Sequence, residues 1–245
     1  MPSFRGTLTP EQITAVVHYV RSLCKEPGWP PGELNFPRVT LSEKAFPEDE
    51  IVITTHGSTQ EYIYERRIAK RGQIELVART TFDSLNDPFD GVTAAFKYNL
   101  WHSAAKGALL SAGLEFTPGD VGRQAESEIE PFLAWGTSAL KWGILQGEVG
   151  AEFEGTESFE EFFYSVALSR TFGRFTPALE LGGALPEEGE AELTLLPQVL
   201  IQLSRLGHVQ ASIGVDLPIA GPSRDARLTA FILWDFADGK LFRGW

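Results

Sequence analysis

The chain has 245 residues, with 33 Asp and Glu against 21 Lys and Arg, a formal net charge of −12 and a pI near 4.8. That length suits one or two domains, and the acidic balance excludes nucleic acid as a partner, because phosphate binding needs a basic face. A single cysteine, Cys24, excludes a disulfide framework and a thiolate zinc or iron–sulfur site.

In chain order, the first element is a helix over residues 9–24. Thr9 can cap it, Pro10 suits the first helical position, and Gln12 stands three residues after Thr9 as in a capping box. Ile13, Val16, Val17, Val20 and Leu23 then fall on one face. A helix this short needs a surface to pack against. Pro27, Pro30 and Pro31 end it, and residues 27–49, rich in proline and charge, read as an extended linker outside the next domain.

From about residue 50 the period changes to two. In residues 191–204, Leu193, Leu195, Val199, Ile201 and Leu203 alternate with Glu192, Thr194, Gln198 and Gln202. The same alternation sets Val209, Ile213 and Val215 against Gln210, Ser212 and Asp216, and Leu228, Ile232 and Trp234 against Arg227, Thr229 and Asp235. About twelve such segments begin near residues 50, 60, 73, 91, 107, 127, 142, 160, 174, 191, 207 and 225, each ~7–14 residues long, most near the length that spans a tilted bilayer crossing. The first two alternate imperfectly.

Alternating strands suit either a soluble sandwich or barrel with its apolar face inward, or a transmembrane barrel with that face toward lipid. Three features favour the membrane. Short basic turns, such as Lys70-Arg71-Gly72, alternate with mostly longer acidic loops, such as residues 186–192. Aromatic residues gather at both strand ends, with Phe82, Phe116, Phe153, Phe162 and Tyr164 on the loop side and Trp135, Phe172, Phe175, Trp234 and Phe236 on the turn side. The polar face carries too many charges for a dry core. The expectation is an all-β, antiparallel transmembrane barrel of about twelve strands over residues 50–245. Leu195, Val199, Ile213, Ile232 and Trp234 then face outward. Glu75, Arg79, Lys97, Glu115, Glu130, Glu148, Glu180, Gln198, Asp216, Arg227 and Asp235 face the lumen, which is either water-filled and, if open, favours cations through its acidic excess, or filled by side chains and closed to solutes.

No catalytic motif stands out, and no enzymatic activity is expected. His18, His56, His102 and His208 are scattered without metal-ligand spacing, so no metal site is assigned. His102 beside Ser103 is similar to the Ser/His pairing of outer-membrane phospholipases, also twelve-stranded barrels. Neighbours on a strand point to opposite faces, however, so they form no dyad.

Two family resemblances sit on these residues. Met1-Pro2-Ser3-Phe4 and the helix with Tyr19 resemble the C-terminal end of a class I c-type cytochrome. That resemblance implies Met1 as the axial haem ligand, residues 1–26 as the last helix of a cytochrome domain, and haem c in a longer parent. The CxxCH attachment motif is absent, so no cofactor is expected in this chain, which then begins at an internal methionine codon or is a fragment. The barrel and its approach over residues 32–50 resemble outer-membrane barrels of a phenol-degradation-pathway family, some of which follow a cytochrome domain. The final Trp245 resembles the signal read by the barrel-assembly machinery. These resemblances imply an outer-membrane location with a periplasmic N-terminal segment, and either transport of a small solute or electron transfer with a periplasmic redox partner. The alternatives are an inert anchor and, remotely, a hydrolase.

Overall fold

The computed structural model describes residues 7–9, 11–13, 15–16, 29–82, 89–119, 126–155, 158–223 and 225–242. Twelve strands occur in chain order: β1 (Glu50–His56), β2 (Thr59–Ile68), β3 (Gly72–Thr81), β4 (Phe89–Ser103), β5 (Ala108–Thr117), β6 (Glu128–Leu140), β7 (Gly143–Glu154), β8 (Ser158–Ser169), β9 (Phe175–Pro186), β10 (Glu192–Gln202), β11 (Val209–Ala220) and β12 (Arg227–Asp235). Each pairs antiparallel with its sequence neighbours. β1 also pairs with β12, from Glu50↔Asp235 to His56↔Thr229, so the sheet closes into a barrel. Closure removes the open edges that lipid cannot satisfy.

The outer face is apolar. Ile213 is 53% exposed, Leu228 58% and Ile232 46%, in strands whose alternate residues are buried. Exposed aromatics gather toward both ends, with Phe82, Phe89, Phe116 and Phe162 near one set of connections and Trp101, Trp142, Phe172 and Phe175 near the other. A sheet that leaves such side chains outside suits lipid as its surroundings.

The connections separate by charge. On the side where β1 begins and β12 ends, five connections contain seven basic residues (Lys70, Arg71, Lys106, Lys141, Arg170, Arg174, Arg205) and no acidic one. The six on the opposite side contain nine acidic and two basic residues. Length separates them less than the sequence suggests. Gly57-Ser58 joins β1 to β2 on the acidic side in a two-residue turn, with Gly57 at a φ of +61° that glycine adopts at little cost.

Residues 11–13 and 15–16 are helical. The Gln12 side chain accepts a hydrogen bond from the Thr9 amide at 2.9 Å, and the Gln12 amide donates back to Thr9 Oγ1 at 3.3 Å, which is a reciprocal capping box. Ile13 and Val16 are exposed. Met1, His18, Cys24 and Trp245 lie outside the described residues.

Two sequence expectations about the interior need correction. The segment read as an outside linker is extended, but residues 34–49 lie inside the barrel. Of the two lumens the sequence leaves open, the interior therefore has one filled in part by the chain itself. Its wall is also apolar along one side, where Val52, Ile63, Val77, Leu200, Phe231 and Leu233 form a buried cluster on the inner face of β1, β2, β3, β10 and β12. That cluster explains the imperfect alternation of β1 and β2, which carry apolar side chains on both faces.

Candidate functional site

The interior segment is a loop that enters and leaves by the same mouth. Arg67, near the turn end of β2, stacks over the Trp29 ring at 5.5 Å and binds Asp49 through Nε at 2.6 Å, so one side chain touches both ends of the loop. After a 3-10 turn at Gly32–Leu34, Leu34 and Phe36 pack with Ala45 and Phe46 against Leu109, Phe132 and Ala134 of the wall. Two wall glycines make room. A Cβ on Gly136 would stand 2.7 Å from the Phe36 ring, and one on Gly182 would stand 2.9 Å from Leu41.

Polar contacts hold the loop on every side. At its tip, the Glu180 carboxylate of β9 accepts hydrogen bonds from the backbone amides of Thr40 (2.7 Å), Leu41 (3.0 Å) and Ser42 (3.2 Å) and from the Ser42 hydroxyl (3.2 Å). Gln198 accepts from the Thr40 hydroxyl at 2.9 Å, and Glu148 accepts from the Glu43 amide at 2.9 Å. Gln146 donates to the Pro37 carbonyl at 2.9 Å, and the Glu48 amide donates to Gln73 at 2.6 Å. Arg38 reaches Glu65 at 2.6 Å and Glu50 at 3.3 Å, Lys44 reaches Glu48 and Glu50, and Lys97 reaches Glu43 and the Lys44 carbonyl. Partners on β2 and β3 and partners on β7, β9 and β10 are thus held by one loop, which crosses the barrel at that level.

Toward the acidic mouth the interior opens again. A cavity of about 250 Å3 lies above the loop tip, lined by Glu61, Arg79, Thr93, Glu115 and Glu130 with the tip as its floor. Beside it, His56 Nε2 lies 2.8 Å from Asp216 Oδ2, and Arg227 donates to Ser223 at 3.2 Å. Arg79 donates to Glu61 at 3.0 Å.

The eleven residues assigned to the lumen from the sequence fall into two groups. Glu75, Lys97, Glu148, Glu180, Gln198, Asp216 and Asp235 are buried. All but Asp216 lie around the loop, and Asp216 sits beside His56 near the mouth. Arg79, Glu115, Glu130 and Arg227 line the open vestibule. Sequence reasoning missed the residues that make the closure, namely Arg38, Thr40, Ser42, Glu43 and Lys44 on the loop and Glu65, Gln73 and Gln146 on the wall. Ser103 and His102 have separate partners: the Ser103 hydroxyl accepts from the Lys106 amide at 3.3 Å, and His102 Nδ1 lies 2.7 Å from Asn99 Oδ1. His208 is buried between Ser204 and the Lys240 carbonyl.

No family model matches the chain, and no curated protein matches it. Solved structures do. A KdgM porin aligns with a TM-score of 0.58 at 11% identity, covering 76% of this chain and 96% of that one, and a second KdgM porin structure, at 10% identity, holds disordered oligogalacturonate. The NanC porin aligns with a TM-score of 0.56 at 8% identity, covering 75% and 97%. An outer-membrane channel from Pseudomonas putida F1 aligns with a TM-score of 0.59 at 11% identity, covering 83% and 98%. At such identities the likeness is one of fold: this chain has the closed twelve-stranded antiparallel architecture of porin-like outer-membrane barrels.

Proposed function

We propose that the chain is an outer-membrane channel for a small cationic or neutral solute, held closed by its own residues 34–49. One observation carries this reading. The vestibule is open, polar and acidic, and it ends on a loop that belongs to the same chain rather than on a wall of fixed strands. An inert barrel needs no cavity on one side of a removable loop. Oligogalacturonate, which accompanies one KdgM porin, is anionic. A vestibule lined by Glu61, Glu115 and Glu130 against Arg79, which is paired to Glu61, and Arg227 keeps a net acidic lining that disfavours such a ligand and favours cations.

The test is planar-bilayer recording of the whole chain against a variant with residues 33–47 replaced by a short Gly-Ser linker. The expected result is a low conductance that rises on replacement, with a reversal potential showing cation preference. An unchanged conductance would leave the inert-anchor reading.

A further inference from the structure

The barrel interior is short of positive charge. Among the described residues nine carboxylates are buried (Glu48, Asp49, Glu50, Glu65, Glu75, Glu148, Glu180, Asp216, Asp235), against three cations, Arg38, Lys44 and Lys97. Asp49 is met by Arg67, Asp216 by His56, and Glu148, Glu180 and Asp235 by backbone amides. Glu48, Glu50, Glu65 and Glu75, with the part-buried Glu43 of the loop, remain against Arg38, Lys44 and Lys97. Unpaired charge in a desolvated interior is strongly unfavourable, so compensation has to come from outside the chain.

The carboxylates gather in two clusters, Glu48, Glu50 and Asp235 around Lys44 and a second group between the loop and β2–β3. Glu43 from the loop, Glu65 from β2 and Glu75 from β3 each bring a carboxylate oxygen within 4.8 Å of the others. Two oxygens on opposite sides of a calcium ion stand roughly 4.8 Å apart at the usual Ca–O distance of ~2.4 Å. Arg38 occupies Glu65 Oε1, and Lys97 occupies Glu43 Oε1. Glu65 Oε2 is fully buried and has no hydrogen-bond partner. The other Glu43 oxygen lies 3.9 Å from Arg38, and the Glu75 carboxylate accepts, among the described residues, a long 3.4 Å bond from Gln73; with Glu65 they make the set. A buried carboxylate with one unpartnered oxygen, grouped with two further carboxylates, offers the donor chemistry of a hard divalent cation. Nothing in the linear order of residues signals this cluster, because its members come from three separate segments with no ligand spacing.

We propose that Glu43, Glu65 and Glu75 bind a divalent cation, calcium by preference, which fastens the loop to the β2–β3 wall. All-oxygen carboxylate donors from a movable loop and two strands suit the adaptable coordination of calcium better than the strict octahedron of magnesium. The site stands on the buried loop and not on transport, and binding can be measured without conduction.

The experiment is equilibrium binding of Ca2+ to the full chain in detergent after EDTA treatment, compared with Glu75→Gln and Glu43→Gln. Glu43 lies outside the strands, so its variant leaves the barrel wall intact. The expected result is one saturable site, with affinity lowered about tenfold or more in each variant as a charged ligand is lost. Absence of saturable uptake would overturn the proposal and assign the compensation to protons. Uptake that both variants leave unchanged would also overturn it, placing the ion elsewhere.

Discussion

Replacing Glu180 by alanine should release the loop without opening the barrel wall. Glu180 is fully buried and accepts four hydrogen bonds from residues 40–42 at 2.7–3.2 Å. Hydrogen bonds to a charged acceptor contribute about 1.5–3 kcal/mol each. The sum overstates the loss, because released amides find water and the variant no longer buries a carboxylate. The apolar seat of Leu34, Phe36, Ala45 and Phe46 is untouched. A net weakening of about 2–4 kcal/mol is expected, a shift of about 30- to 1000-fold in the ratio of docked to released loop at ~1.4 kcal/mol per tenfold. The assay is maleimide labelling of Ala45→Cys in a background lacking Cys24, since Ala45 is buried when the loop is docked. Labelling should accelerate with Glu180→Ala, and mean channel current should rise in parallel as the loop leaves its seat more often. If labelling keeps the parent rate while the barrel stays folded, the apolar seat alone holds the loop and the role given to Glu180 is wrong.

Three further outcomes are expected from the same geometry. Gly136→Val places atoms where the Phe36 ring lies 2.7 Å from a Cβ position, so it should also unseat the loop, read as faster Ala45→Cys labelling. Ile213→Arg puts a charge on a lipid-facing position that is 53% exposed, at a cost of about 2–4 kcal/mol near the midplane, and should lower the yield of heat-resistant folded barrel in gel-shift assays. Cysteines at Ile53 and Ile232, partners across the closing β1–β12 seam, should form a disulfide on oxidation; no cross-link would mean the seam is open.

The barrel was legible because its outer face repeats. Each strand from β3 onward shows lipid-facing apolar residues at period two, and the twelve expected starts fall within two residues of those found. The two weakest segments, β1 and β2, are those whose inner face carries Val52 and Ile63 into an apolar cluster. The loop was not legible. Its proline and charge resemble a solvated linker, and what makes it an interior element is a set of acceptors far away in sequence. Glu180 lies about 140 positions from the amides it holds, and Glu148 lies 105 from Glu43. Single-sequence patterns carry local periodicity, whereas pairing across a closed lumen is a property of the assembled wall. The capping box at Thr9 and Gln12 was readable for the opposite reason, since its two partners lie three residues apart.

Because Arg67 touches both ends of the loop, the segment goes in and comes out through one mouth. Nothing has to be threaded for it to leave, and Asp49 runs straight into β1 at Glu50, so it cannot drift away. A tethered segment of this length meets its seat at an effective concentration in the millimolar range. Reclosure is then governed by chain diffusion rather than by encounter with a second molecule. Closing a ten-residue loop takes about 10–100 ns, so withdrawal without a competing occupant should be too brief to resolve as steps in current records and should add only fast current noise, independent of protein concentration. Long openings would require something to take the seat: a solute bound in the vestibule, or a partner that captures the withdrawn loop at the mouth where β1 begins and β12 ends.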